Sequence, residues 1–123
     1  MNLKVVSPIL GFESIKEVVL KQMDDFFYEL DCNDIRFTMI DSKTIVENYS
    51  FELLNSYKKV LEIKSLDEAK IFNIVTIHNP IEESTINFLA PIVINEEKKL
   101  LAQIALDDKR YNFSLKEPIK NFL

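Results

Sequence analysis

Cys32 and His78 are the sole cysteine and histidine of the chain, so any thiol–imidazole chemistry would have to use this pair. A reactive thiol needs a lowered pKa, supplied by a helix N-terminus or by neighbouring cations, and only Arg36 lies near Cys32 in sequence. The residues therefore read as a half-buried cysteine and a strand-end histidine. One of each is also too few for a metal site, which needs a cluster of ligands. The remaining candidates are three acidic doublets, Asp24-Asp25, Glu82-Glu83 and Asp107-Asp108. Adjacent side chains on a strand point to opposite faces, so each doublet reads as a solvated turn. A glycosidase-type pair would need two acids fixed across a cleft. Phe26, Phe27, Tyr28, Phe37, Phe72, Phe88 and Phe113 fall at expected strand positions without interleaved basic residues. They read as core, not as a base-stacking platform. No catalytic, cofactor-binding or metal-ligating set emerges, and the expectation is a protein that is not an enzyme.

Composition narrows the classes further. A length of 123 residues suits one domain, spanning residues 1–123. The 47% hydrophobic and 28% charged fractions are those of an ordinary globular protein. A net charge of −5 argues against direct nucleic-acid binding, which needs clustered Lys and Arg on phosphates. It favours encounter with a basic partner instead. Gly11 is the single glycine, which excludes a Walker loop, a dinucleotide fingerprint and a kinase phosphate loop. Turns must then rely on Asn and Asp, and Asn33, Asn48, Asn55, Asn79, Asn95 and Asn112 are placed to serve. The longest apolar runs, such as Phe88 to Ile94, fall far short of the roughly 20 residues of a membrane span. Met1 to Pro8 lacks the cationic start and apolar run of a signal peptide, and one cysteine permits no internal disulfide. The expectation is a cytoplasmic protein without membrane partners.

The elements follow from hydrophobic period. Leu3–Val6 predicts a strand stopped by Ser7-Pro8, and Ile9–Phe12 a turn built on Gly11 with apolar anchors. Lys16–Gln22 and Phe26–Leu30 predict a hairpin around Asp24-Asp25, and Ile35–Ile40 a half-buried strand. Asp41 can cap one helical turn through Val46. Leu53, Leu54, Tyr57, Val60, Leu61 and Ile63 recur at helical spacing, which predicts a helix over 55–62 with Asn55 or Ser56 as N-cap. Leu66–Lys70 suits a short turn, and Ile71–His78 a strand buried on both faces. Leu100–Leu106 and Tyr111–Leu115 are the last two expected strands. The fold class is mostly β: a small antiparallel β barrel or rolled sheet with one capping α-helix around residues 55–62.

Between these elements lies Ser84-Thr85-Ile86-Asn87-Phe88-Leu89-Ala90-Pro91-Ile92-Val93-Ile94-Asn95, almost uncharged and interrupted by Pro91. Asn87 reads as a buried amide that must be hydrogen-bonded, since an unpaired one costs on the order of 1–3 kcal/mol. Pro91 has no N–H to give a ladder, so it suits a strand start or bend. Together with Pro8–Glu13, Ile71–Ile77, Gln103–Asp108, Tyr111 and the mid-chain Asp41…Tyr49-x-Phe51 pattern, this stretch resembles the flagellar assembly factor FliW family. The resemblance runs from about Ile9 to Tyr111. Gly11, Phe12, Asn87, Pro91 and Asn95 form its structural signature. Ser42 stands where the family commonly has proline, and only Gly11 and Phe12 remain of the family's Gly-[IL]-Pro-Gly-Phe turn.

The resemblance implies a partner switch without cofactors, monomeric when free. FliW-like proteins bind cytoplasmic flagellin and also the carbon storage regulator CsrA, a small basic RNA-binding dimer that represses translation of flagellin mRNA. Export of flagellin frees the FliW-like protein to capture CsrA. The alternative is a flagellin-specific export chaperone without CsrA antagonism. Glu82, Glu83, Asp107 and Asp108 are the expected partner-binding residues, since both acidic turns flank the signature and its following strand.

Overall fold

The computed structural model describes residues 1–46 and 49–122. Among the described residues nine strands form: β1 Asn2–Ser7, β2 Glu17–Gln22, β3 Phe27–Cys32, β4 Ile35–Asp41, β5 Lys70–Thr76, β6 Thr85–Ile86, β7 Ile92–Asn95, β8 Leu100–Gln103 and β9 Glu117–Pro118. The helices are α1, Ser42–Ile45, and α2, Asn55–Leu61, with short 3-10 turns at Leu66–Glu68, Ile81–Glu83 and Ile119–Phe122.

Seven strands close on themselves in the order β4-β3-β2-β1-β8-β7-β5, and the β4–β5 pairing completes the barrel. All these pairings are antiparallel except β1 with β8. Closure removes the free edges that an open sheet would expose. β5 is the seam. Its Phe72–Val75 segment pairs with β4, while its other edge serves β7 through Lys70–Phe72 and β6 through Val75–Thr76. β9 then adds to β6 outside the barrel.

Alternation along each strand divides the apolar residues into layers. Leu3, Val5, Leu30, Met39, Phe72, Ile92, Ile94 and Leu101 fill the barrel interior. Val93, Leu100, Ala102 and Ile71 belong to a second cluster with Leu61, Ile63, Phe51 and Leu53, so α2 and its flanks form the outer cover. A third cluster joins Ile40, Val75, Ile86, Phe88 and Ile119, with Tyr49, Phe113 and Phe122 packed against it. Each large side chain fully buried in this way contributes about 1.5–3 kcal/mol. The outer face of β2–β4 carries charge instead: Lys21 pairs with Asp31 at 3.1 Å, and Arg36 approaches Glu29 at 3.7 Å and Asp31 at 3.9 Å.

The expected barrel and capping helix are present, with local differences. Leu54, not Asn55 or Ser56, is the N-cap of α2, and it supplies no side-chain cap. The helix is held by its apolar face, with Leu61 fully buried. No strand forms over Tyr111–Leu115. The chain there is used for aromatic packing, with Phe113 against Tyr49 at 4.9 Å, and the last strand is Glu117–Pro118. The ladder of β8 ends at Gln103 and that of β5 at Thr76, short of Leu106 and His78. Phe26 is exposed at the β2–β3 turn and is not core. Asn33 does adopt left-handed backbone, but Glu62 and Lys99 share that role, and Asn48 lies outside the described residues.

Candidate functional site

The residues expected to form a structural signature lie at joints between elements. Asn87 is half-buried, not buried, and its Oδ1 accepts the N–H groups of Leu89 (3.0 Å) and Ala90 (3.1 Å). That is an Asx turn, in which a short amide replaces a backbone acceptor while the chain reverses. Pro91 is buried at the mouth of β7, and its carbonyl accepts the Ile104 N–H at 2.9 Å. Asn95 ends β7; its Nδ2 donates to Leu61 O at 2.8 Å and its Oδ1 accepts the Lys98 N–H at 3.2 Å. One side chain thereby closes the β7–β8 turn and satisfies a carbonyl at the open C-terminal end of α2. Gly11 has φ +85°, and the Phe12 N–H donates to Ile9 O at 2.8 Å. Of the expected anchors of that turn only Ile9 is fully buried; Leu10 is exposed, and Phe12 packs edge-on against Phe37 at 5.1 Å.

Two buried polar groups that the sequence reading passed over complete the frame. Gln103 donates to Ala90 O at 2.9 Å and accepts the Leu10 N–H at 2.7 Å, tying the Gly11 turn to the signature. Asn73, fully buried on β5, donates to Asn87 O at 3.0 Å and to Tyr49 Oη at 3.3 Å. Ser42 Oγ lies against Asn73 Oδ1 and Ile71 O. Burial pushes the Tyr49 hydroxyl pKa well above its ordinary value near 10, only partly offset by the Asn73 amide. A lone amide inside the apolar run Ile71–Ile77 was the available signal for this network. Among the described residues no buried side-chain polar atom lacks a partner.

The acidic turns are exposed, and the structure does not join them. Glu82 and Glu83 project from the 3-10 turn Ile81–Glu83, whose base is fixed by Ser84: its Oγ accepts the His78 N–H and its carbonyl the Ile119 N–H. Pro118 and Lys120 line the same shallow groove of about 450 Å³. Asp107 caps its own turn through the Lys109 N–H at 2.9 Å, with exposed Asp108 beside it. No hydrogen bond or ion pair among the described residues links the two turns. Asp24 behaves as the turn reading implies. Its Oδ1 accepts the Phe27 and Phe26 N–H groups, which hold its carboxyl below the usual range. Cys32 is half-buried beside the barrel core while His78 is exposed, and no hydrogen bond joins them. No cluster of three or more potential metal ligands occurs among the described residues.

Similarity to known proteins decides the family. The FliW protein family model matches residues 1–119. The chain belongs to the FliW family. The flagellar assembly factor FliW of Campylobacter lari is 41% identical over 127 aligned positions, covering 100% of this chain and 97% of the relative. FliW 2 and FliW 1 of Wolinella succinogenes, also flagellar assembly factors, are 36% and 37% identical, covering 99% and 100% of this chain and 92% and 98% of their own lengths. A crystal structure of the flagellar assembly factor FliW superposes with a TM-score of 0.87 at 26% identity, covering 96% of this chain and 84% of that one. The family is one of flagellar assembly factors, and the closed barrel with its main helix matches that structure. No helix of the described residues is long and apolar enough to cross a membrane.

Proposed function

We propose that this FliW-family chain is a non-enzymatic partner switch in the cytoplasm. It binds flagellin and, when flagellin has been exported, captures CsrA and relieves repression of flagellin mRNA. The observation that carries the reading is the family match over residues 1–119. The net charge of −5 supports it, because an acidic domain meeting a basic dimer gains association rate from complementary potential. Glu82 and Glu83, exposed on a turn fixed by Ser84, are the first contact residues to test, followed by Asp107 and Asp108.

The test is a sizing column run with the purified chain alone, with CsrA and with flagellin. A monomer that co-elutes with each partner is the expected result. Co-elution with flagellin only would replace the switch by a flagellin-specific export chaperone. The double reversal Glu82→Lys and Glu83→Lys should weaken CsrA capture. Unchanged affinity at physiological salt removes that turn from the interface.

A further inference from the structure

Lys4, Lys98 and Lys99 line a groove of about 560 Å³ where the start of β1 meets the β7–β8 turn. Glu17 and Asp31 line it as well, but Asp31 is already neutralised by Lys21 at 3.1 Å and by Arg36 at 3.9 Å. The three lysines enter no ion pair among the described residues, where the paired cations are Lys21, Arg36, Lys70 and Arg110. In a chain with a net charge of −5, this groove keeps local positive charge against the single free carboxylate of Glu17.

The main chain that carries these lysines is fixed by hydrogen bonds. Asn95 Oδ1 accepts the Lys98 N–H at 3.2 Å, and the Lys4 N–H donates to Lys99 O at 2.9 Å. Lys99 sits at φ +58°, in the left-handed region that glycine and asparagine enter at lower cost. Asn33, at φ +54°, fills the comparable position in another turn lining the same groove. A cation placed against local backbone preference, on a turn pinned by a signature residue, is a reason to assign its side chain a role.

We propose that this groove binds an acidic, extended segment of a partner polypeptide. The cations are spread over β1 and the β7–β8 turn, which suits carboxylates repeated along a chain better than one phosphate. Three lysines are few for a nucleic acid, whose phosphate backbone calls for a longer cluster of Lys and Arg. The attraction between exposed charges is screened by salt. The assignment is independent of the Glu82-Glu83 turn, which lines a different groove.

A fluorescein-labelled peptide alternating glutamate and valine tests it by anisotropy, with amide shifts mapping the contact. Its glutamine counterpart and a single-stranded oligonucleotide of equal length are the controls. Reversing the charges with Lys4→Glu, Lys98→Glu and Lys99→Glu together should weaken binding by about tenfold or more, with added salt acting in the same direction. Lys99→Asn should weaken it by about two- to fivefold while the melting temperature holds or rises, because asparagine accepts this φ more readily. The proposal fails if the glutamine peptide binds equally, if Lys99→Asn leaves affinity unchanged, or if the shifts fall outside the groove. Tighter binding of the oligonucleotide would put nucleic acid in place of the acidic segment.

Discussion

The Tyr49 hydroxyl donates a 2.6 Å hydrogen bond to the Phe88 carbonyl, 39 residues further along the chain. Tyr49 lies in the mid-chain Tyr49-x-Phe51 segment and Phe88 in the Ser84–Asn95 stretch, so two segments far apart in sequence meet at one contact. Asn73 extends it, reaching both Tyr49 Oη and Asn87 O from the barrel seam. Buried polar networks of this kind are favourable only when every member is satisfied, and they then fix one arrangement of the elements.

Tyr49→Phe keeps the ring contacts with Phe51, Phe88 and Phe113 but removes the hydroxyl. Phe88 O then loses its donor and Asn73 Nδ2 one of its acceptors. Stability should fall by about 1–2 kcal/mol, read from urea unfolding at neutral pH. An unchanged midpoint and slope would assign the role of Tyr49 to ring packing alone.

The same hydroxyl sets an alkaline limit. Its folded pKa lies above the ordinary value near 10, so the folded chain keeps this proton after the unfolded chain has released it. The unfolded state then binds fewer protons, and stability falls as pH rises. The contribution is complete below pH 10 and declines above it. Unfolding free energies measured from pH 8 to 11 should fall less steeply in Tyr49→Phe than in the parent chain. Parallel profiles would show that Tyr49 titrates normally.

Asp24 gives the opposite sign. Its folded pKa is depressed by the Phe27 and Phe26 N–H groups, so its stabilising effect is present above the ordinary carboxylate value and is lost as pH falls through the folded one. Asn at this position keeps an oxygen acceptor but does not titrate. Between pH 5 and 2 the parent should lose stability faster than Asp24→Asn; equal acid limbs would remove the turn from the account.

The strands and α2 were legible because burial imposes a period of two or 3.6 on the residues of each element. β7 illustrates this, with Ile92 and Ile94 directed into the barrel and Val93 beneath α2. Closure was less legible. Pairing of β4 with β5, and the parallel pairing of β1 with β8, depend on residues far apart in sequence, and no local period encodes a partner. Glu117–Pro118 is too short to show alternation and forms a strand only because Thr85 and Ile86 offer an edge. Gln103 and Ser42 look like ordinary polar residues until the fold buries them. The acidic doublets were legible as turns, whereas a partner's choice between them depends on a surface outside this chain.

Asn95 tests whether the signature acts as a joint between layers. Its amide is nearly fully buried and spans Leu61 O and the Lys98 N–H, so one truncation opens both the helix end and the hairpin. Asn95→Ala should cost about 1–3 kcal/mol, since a buried carbonyl is left without its donor. The loss should be local as well as global. Hydrogen exchange at Lys98 and at the α2 C-terminus should quicken more than exchange within β3 or β4, which do not hold the hydrogen-bond partners of this side chain. Asn95→Asp separates the two bonds, because it retains the acceptor for Lys98 and loses the donor to Leu61. If Asn95→Asp restores the hairpin protection but not that of the helix, the two bonds act independently. Uniform acceleration across the barrel in both variants would instead make Asn95 part of one cooperative unit, and the joint between layers would have no separate existence.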